Sequence, residues 1–263
     1  MTKKLHLTLG CLAIATFSIL ASCRTVPITG RSQFILTSLA NEKATGLAAF
    51  TEYKKKYPRS TNSRYNAALT SCATAIIKAT EYTGYDWEYT VFQSAEQNAF
   101  CLPGGKVAVY SGLIDLMNNE AELAFVVAHE IAHAVARHGG ERTSWGTLQK
   151  FGSVAVAKKG KSATDIYQKA TQLGVILPFS RSNEYEADKI GMILMAKAGY
   201  NPNAAIEFWS RFTNGGQNES LLNGLMSTHP RDGDRIQAMR NNLPEARAAY
   251  AKAITKRGYG MAL

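Results

Sequence analysis

The chain has 263 residues, 46% of them hydrophobic, and 30 Lys and Arg against 20 Asp and Glu give a formal net charge of +10. That apolar content excludes a disordered chain and suits one globular domain with an ample core. The basic balance favours contact with anionic membrane or envelope surfaces. A nucleic-acid partner is not expected, because Lys54-Lys55-Lys56 and Lys158-Lys159-Gly160-Lys161 lack interleaved aromatic residues.

In chain order, Lys3 and Lys4 precede an apolar run from Leu7 to Leu20, closed by Leu20-Ala21-Ser22-Cys23. The pattern resembles a bacterial lipoprotein signal over residues 1–22, with cleavage before a lipid-bearing Cys23; the run is shorter than the roughly 18 residues of a membrane span. Arg24 stands where Asp would favour inner-membrane retention, so a periplasm-facing lipoprotein of the outer membrane is expected. Residues 23–37, with Pro27 and Gly30, read as an extended tether, and residues 38–263 as a single domain. Cys72 and Cys101 are left either to form a disulfide or to stay as separate buried thiols.

Thr37-Ser38 starts a helix that runs toward Tyr57-Pro58, and a second helix spans Asn62 to Thr83 with Tyr65, Leu69, Cys72, Ile76 and Ile77 on one side. Trp87 to Phe92 is rich in β-forming residues, and Gly104-Gly105 supplies a turn before Lys106 to Tyr110. Asn98, Ala99 and Phe100 are expected at the edge of that small sheet, where an extended substrate backbone can pair. The fold class is therefore α+β and mainly helical, with a small sheet beside the helix that follows.

That helix carries His129-Glu130-Ile131-Ala132-His133 in a stretch that is apolar nearly all round. Residues four apart on a helix differ by about 40° around its axis, so His129 and His133 can address one zinc ion. Glu130, about 100° round, can reach a water and act as general base. A buried His or Glu without partners costs on the order of 1 to 3 kcal/mol per polar group, which favours a metal there. His138 lies five residues past His133, about 140° away on a continuous helix, and is read as marking the helix C-terminus before Gly139-Gly140. Glu184 is the better third ligand, with Asp188 on the same face of a later helix to orient a ligand histidine; Glu186 points to nearly the opposite side.

Trp145 to Lys158 and Thr164 to Leu177 read as helices. Asn201-Pro202 starts another with Ile206, Phe208 and Trp209, and Pro244 starts a last one. Residues 214–226, rich in Gly, Asn and Ser, are expected as a mobile rim over the cleft.

Four ordered stretches, His129-Glu130-x-x-His133, Glu184-x-x-x-Asp188, Asn98 to Lys106 and Ser227-Thr228-His229-Pro230, resemble the M48 family of gluzincin metallopeptidases. The likeness is to its bacterial lipoprotein members and the Oma1-like peptidase domain. It implies a zincin-like fold, one Zn2+ per chain held by His129, His133 and Glu184, and Glu130 as base. By the same resemblance His229 sits near the metal, stabilising an oxyanion or guarding the open position, with Arg235 assisting it electrostatically. The expected activity is hydrolysis of peptide bonds in misfolded or specific envelope proteins. The alternative is a lipid-tethered assembly factor or chaperone with little turnover.

Overall fold

The structure, a computed structural model, describes residues 23–158, 160–171, 177–213, 224–225, 229 and 234–258. The expected signal segment and all of the 214–226 rim except Gly224 and Leu225 lie outside the described residues.

Residues 23–34, within the stretch expected as a tether, form a hairpin. β1 (Cys23–Thr25) pairs antiparallel with β2 (Ser32–Phe34), Cys23 opposite Phe34. Between them the backbone turns through left-handed Ile28 (φ 72) and Gly30 (φ 71), and Val26 N donates to Arg31 O at 2.8 Å. Val26 and Ile35 are buried, so this short segment gains enough apolar burial to be held against the body.

α1 (Leu39–Lys56) is capped by Ser38, whose hydroxyl accepts from Asn41 N, and it ends before Pro58, which disfavours helical backbone in the residue preceding it. α2 (Ser63–Thr80) is capped by Asn62 and stops three residues earlier than expected, at left-handed Glu81. The sheet has the order β3 (Glu88–Phe92), β5 (Lys106–Tyr110), β4 (Ala99–Leu102), with β3 and β5 parallel and β4 and β5 antiparallel. Gly104 (φ 87) and Gly105 (φ 81) make the turn into β5; a Cβ on Gly105 would also fall 2.7 Å from the Trp87 ring. Every residue of β5 is buried. One layer against the sheet is a small aromatic core of Phe50, Phe92 and Tyr110, with Tyr53, Tyr57 and Phe100 around it.

The main core is built on α4 (Glu120–Val135), after a short α3 (Ser111–Ile114). All of α4 except His133 is buried, as a helix apolar on every side must be. It packs between α2 and the sheet on one side and α7 (Leu177–Lys197) on the other; α8 (Asn203–Thr213) and α9 (Arg235–Lys252) complete the bundle. Gly191 permits the close crossing, since a Cβ there would lie 3.0 Å from the backbone nitrogen of His129.

Two expectations are corrected here. α5 (His138–Ala157) begins at His138, so this residue opens a helix instead of closing one; Arg137, left-handed at φ 54, breaks the chain between α4 and α5. Pro244 lies inside α9, which starts nine residues earlier at Arg235. Pro244 is exposed, and the carbonyl it leaves without a donor can be solvated. α6 (Lys161–Thr171) packs on α5 and buries none of its own residues. Cys72 and Cys101 are free thiols, which decides between the two readings of that pair. Among the described residues no helix is long and apolar enough to cross a membrane.

Candidate metal centre

α4 and α7 bring three side chains, His129, His133 and Glu184, to one point, and His229 joins them from outside both helices. The ligating atoms of His129, His133, Glu184 and His229 lie within 4.8 Å of one another. His129 Nε2 is 3.1 Å from His133 Nε2 and 3.5 Å from Glu184 Oε2, and His133 Nε2 is 3.3 Å from Glu184 Oε1. His229 Nδ1 stands 3.2 Å from His129 Nε2 and 3.0 Å from Glu184 Oε2, while its Nε2 is 3.1 Å from Glu130 Oε1. His129, Glu130, Glu184 and His229 are all buried.

Behind these groups, His129 Nδ1 faces Asp188 Oδ1 at 2.9 Å. Asp188 is held in turn by Arg235, whose Nε donates to Oδ2 and Nη2 to Oδ1, both at 2.8 Å. Arg235 Nη1 is also 3.2 Å from Glu184 Oε2, and the guanidinium lies over the Trp209 ring at 4.6 Å. The structure thus puts Arg235 on Asp188 and Glu184, behind the ligating atoms. Tertiary contact also assigns partners to His138 and Glu186, which helical spacing left aside: His138 Nδ1 is 2.8 Å from His133 Nδ1, and His138 Nε2 is 3.0 Å from Glu186 Oε2.

The donor set fits a divalent ion. Tetrahedral zinc with bonds of about 2.0 to 2.2 Å has ligand atoms roughly 3.3 to 3.6 Å apart, and the three spacings among His129, His133 and Glu184 run from 3.1 to 3.5 Å. Charge agrees, because Arg235 pairs with the buried carboxylates Glu184 and Asp188 while the buried Glu130 faces His229, so three carboxylates converge here. Burial pushes the Glu184 carboxyl up, yet His133, His129 and His229 together hold it far below the usual range. Burial likewise lowers His229, but Glu130 and Glu184 overcome it and push its imidazole up to about 10. His133 goes the other way, lowered by burial to about 4. The hollow therefore draws positive charge to its centre while keeping one ligand histidine neutral.

The centre opens on a cleft of about 620 Å³ lined by Asn98, Ala99, Phe100, Glu130, His133 and Arg142, among others. β4 forms one wall and, among the described residues, is the edge of its sheet, with β5 as its neighbour on one side only. The Phe100 ring packs against Tyr53 at 4.6 Å, fixing the strand to α1.

What the crossed helices, the free sheet edge and the His/Glu cluster define together is a zincin-like metallopeptidase domain. Comparison with known sequences narrows this class: residues 63–243 match peptidase family M48, and the chain belongs to that family. It is similar to the mitochondrial metalloendopeptidase OMA1 of Schizosaccharomyces pombe, 34% identical over 224 residues that cover 84% of this chain and 66% of that protein. The human metalloendopeptidase OMA1 is 30% identical over 84% of this chain and 46% of its own length. The β-barrel assembly-enhancing protease of Escherichia coli is 26% identical over 86% of this chain and 48% of its own length. The chain thus spans two thirds or less of the length of these relatives.

Proposed function

We propose that this protein is a zinc-dependent endopeptidase of the bacterial envelope, tethered by lipid on Cys23, that cuts misfolded or selected envelope proteins. The observation that carries the reading is the convergence of His129, His133 and Glu184 beside Glu130, at the foot of a cleft walled by an edge strand. Zinc held by those three residues would supply Lewis-acid polarisation and a water acidified to a pKa near about 7. Glu130, buried on the cleft wall, is the group placed to take a proton from water and pass it to the leaving amine. An extended substrate would lie along Asn98, Ala99 and Phe100 and pair with the free side of β4, so that backbone, not side chain, carries most of the recognition. His229 occupies the fourth corner of the cluster and pairs with Glu130, an arrangement that guards the open position until a substrate displaces it.

The Leu20-Ala21-Ser22-Cys23 sequence and the E. coli relative, named for enhancing β-barrel assembly, support the envelope assignment. A tethered chaperone without turnover has no physical use for Glu130 against the ligand cluster. Glu130→Ala should retain zinc and lose cleavage by about 100-fold or more. Fragments of envelope proteins present in wild-type cells should then be absent by mass spectrometry from cells carrying that variant; an unchanged fragment set would exclude the mechanism.

A further inference from the structure

We propose that the N-terminal hairpin is part of the metal centre, with Arg31 acting through Glu186 and His138 as a positioning group for His133. This inference rests on the metal reading above. Each ligand histidine has its second nitrogen answered by a chain of groups that ends on an arginine. For His129 the chain is short: Nδ1 to Asp188 at 2.9 Å, and Asp188 to Arg235 at 2.8 Å. For His133 it is longer: Nδ1 to His138 Nδ1 at 2.8 Å, His138 Nε2 to Glu186 Oε2 at 3.0 Å, and Glu186 Oε2 to Arg31 Nε at 2.8 Å. Thr29 donates its hydroxyl to the other oxygen of Glu186, and Arg31 spreads Nη1 and Nη2 over Glu141 at 3.0 and 2.8 Å.

The tautomers follow from which atoms can only accept. An ionised Glu186 accepts, so His138 carries its hydrogen on Nε2 and, as a neutral imidazole, leaves Nδ1 bare. His133 must then carry its hydrogen on Nδ1, which leaves Nε2 bare toward Glu184 and His129, the form that a metal ligand needs. The wrong tautomer would point a hydrogen at the centre. Three backbone features build this path. Left-handed Arg137 turns His138 back toward His133, and the Arg137 guanidinium is clamped to Glu42 at 2.8 and 3.0 Å. Left-handed Ile28 and Gly30 shape the turn that carries Thr29 and Arg31 to Glu186, 155 residues away from Arg31 in sequence. Glu141 and His138 are both buried, and Arg31 is the cation that the hairpin brings to Glu141 and Glu186.

The test is zinc affinity of the full chain, measured by competition with a chromophoric chelator, for wild type, Arg31→Ala, Arg31→Lys, His138→Phe and His138→Gln. Loss of an outer partner typically weakens metal binding about 10- to 100-fold, which is the effect expected for His138→Phe, and on the order of tenfold for Arg31→Ala. His138→Gln, whose amide can accept from one side and donate to the other, and Arg31→Lys should each recover part of the loss. Melting of the metal-free proteins in excess chelator separates this from a purely structural hairpin, which would lower melting and leave affinity alone. Folded Arg31→Ala and His138→Phe holding zinc within about twofold of wild type would overturn the proposal, and if His138→Phe does not fold, Arg31→Ala against Arg31→Lys decides it. A wild-type chain that binds no zinc overturns the metal reading itself, a different result from variants that bind as well as wild type.

Discussion

At the residue scale the centre is a balance of buried charges, and each member answers for another. Arg235 is nearly solvent-free and closes the line from His129 through Asp188. Removing one partner of such a pair leaves an uncompensated charge, so Arg235→Leu should destabilise the protein by about 3 to 5 kcal/mol in urea unfolding, where a loss under about 1 kcal/mol would refute the pairing argument. His229 presents a different case, because it touches the ligand cluster with one nitrogen and Glu130 with the other. If it guards the site, His229→Ala should raise basal cleavage of an unfolded protein substrate several-fold. A fall on the order of 100-fold would instead identify it as a stabiliser of the transition state.

At the element scale, α4 shows why a helix that carries the candidate metal-binding group can be this apolar. Its polar residues are each tied into the site or to neighbouring side chains, as Glu120 is to Tyr200 and Glu122 to Arg211, while its remaining faces meet α2, the sheet and α7. Phe125 sits one turn before His129, 1% exposed and packed on Phe208 at 6.5 Å between ring centres. Phe125→Ala should cost about 3 to 5 kcal/mol by the same urea measurement and loosen the histidine pair with it, so zinc affinity should fall in parallel. The crossing of α4 and α7 depends on Gly191, and the α4–α5 junction on left-handed Arg137. No local pattern announces the second of these, since Arg at positive φ is uncommon. That is why the rotation argument for a continuous helix sent His138 to the wrong end of an element.

At the scale of the whole molecule, the sheet, α4 and α7 line one hollow, with the hairpin and α9 bracing the groups behind it, so a metal bound there would be coupled to the fold. Zinc at 100 times its dissociation constant should raise unfolding free energy by about 2.7 kcal/mol, visible as a higher melting temperature that excess chelator reverses. A melting temperature indifferent to chelator would mean that the cluster holds no ion. The two halves of the site meet across long chain separations: His229 is 100 residues from His129, and Arg31 is 155 from Glu186.

That separation divides what sequence alone determined from what it could not. The His129, Glu130, His133 group and the Glu184, Asp188 pair are legible because the i, i+4 geometry of a helix is local, and the edge strand because its β-forming residues and glycine turn are adjacent in the chain. A peptidase fold and a metal-binding group follow from those residues. The resemblance put His229 near the metal, and tertiary structure supplied its contacts; only tertiary structure decided the rest: Arg235 behind Asp188, His138 between His133 and Glu186, and a hairpin where a tether was expected. These depend on which helix face meets which after the chain has closed over many residues, and on a single left-handed arginine, neither of which a periodic pattern encodes.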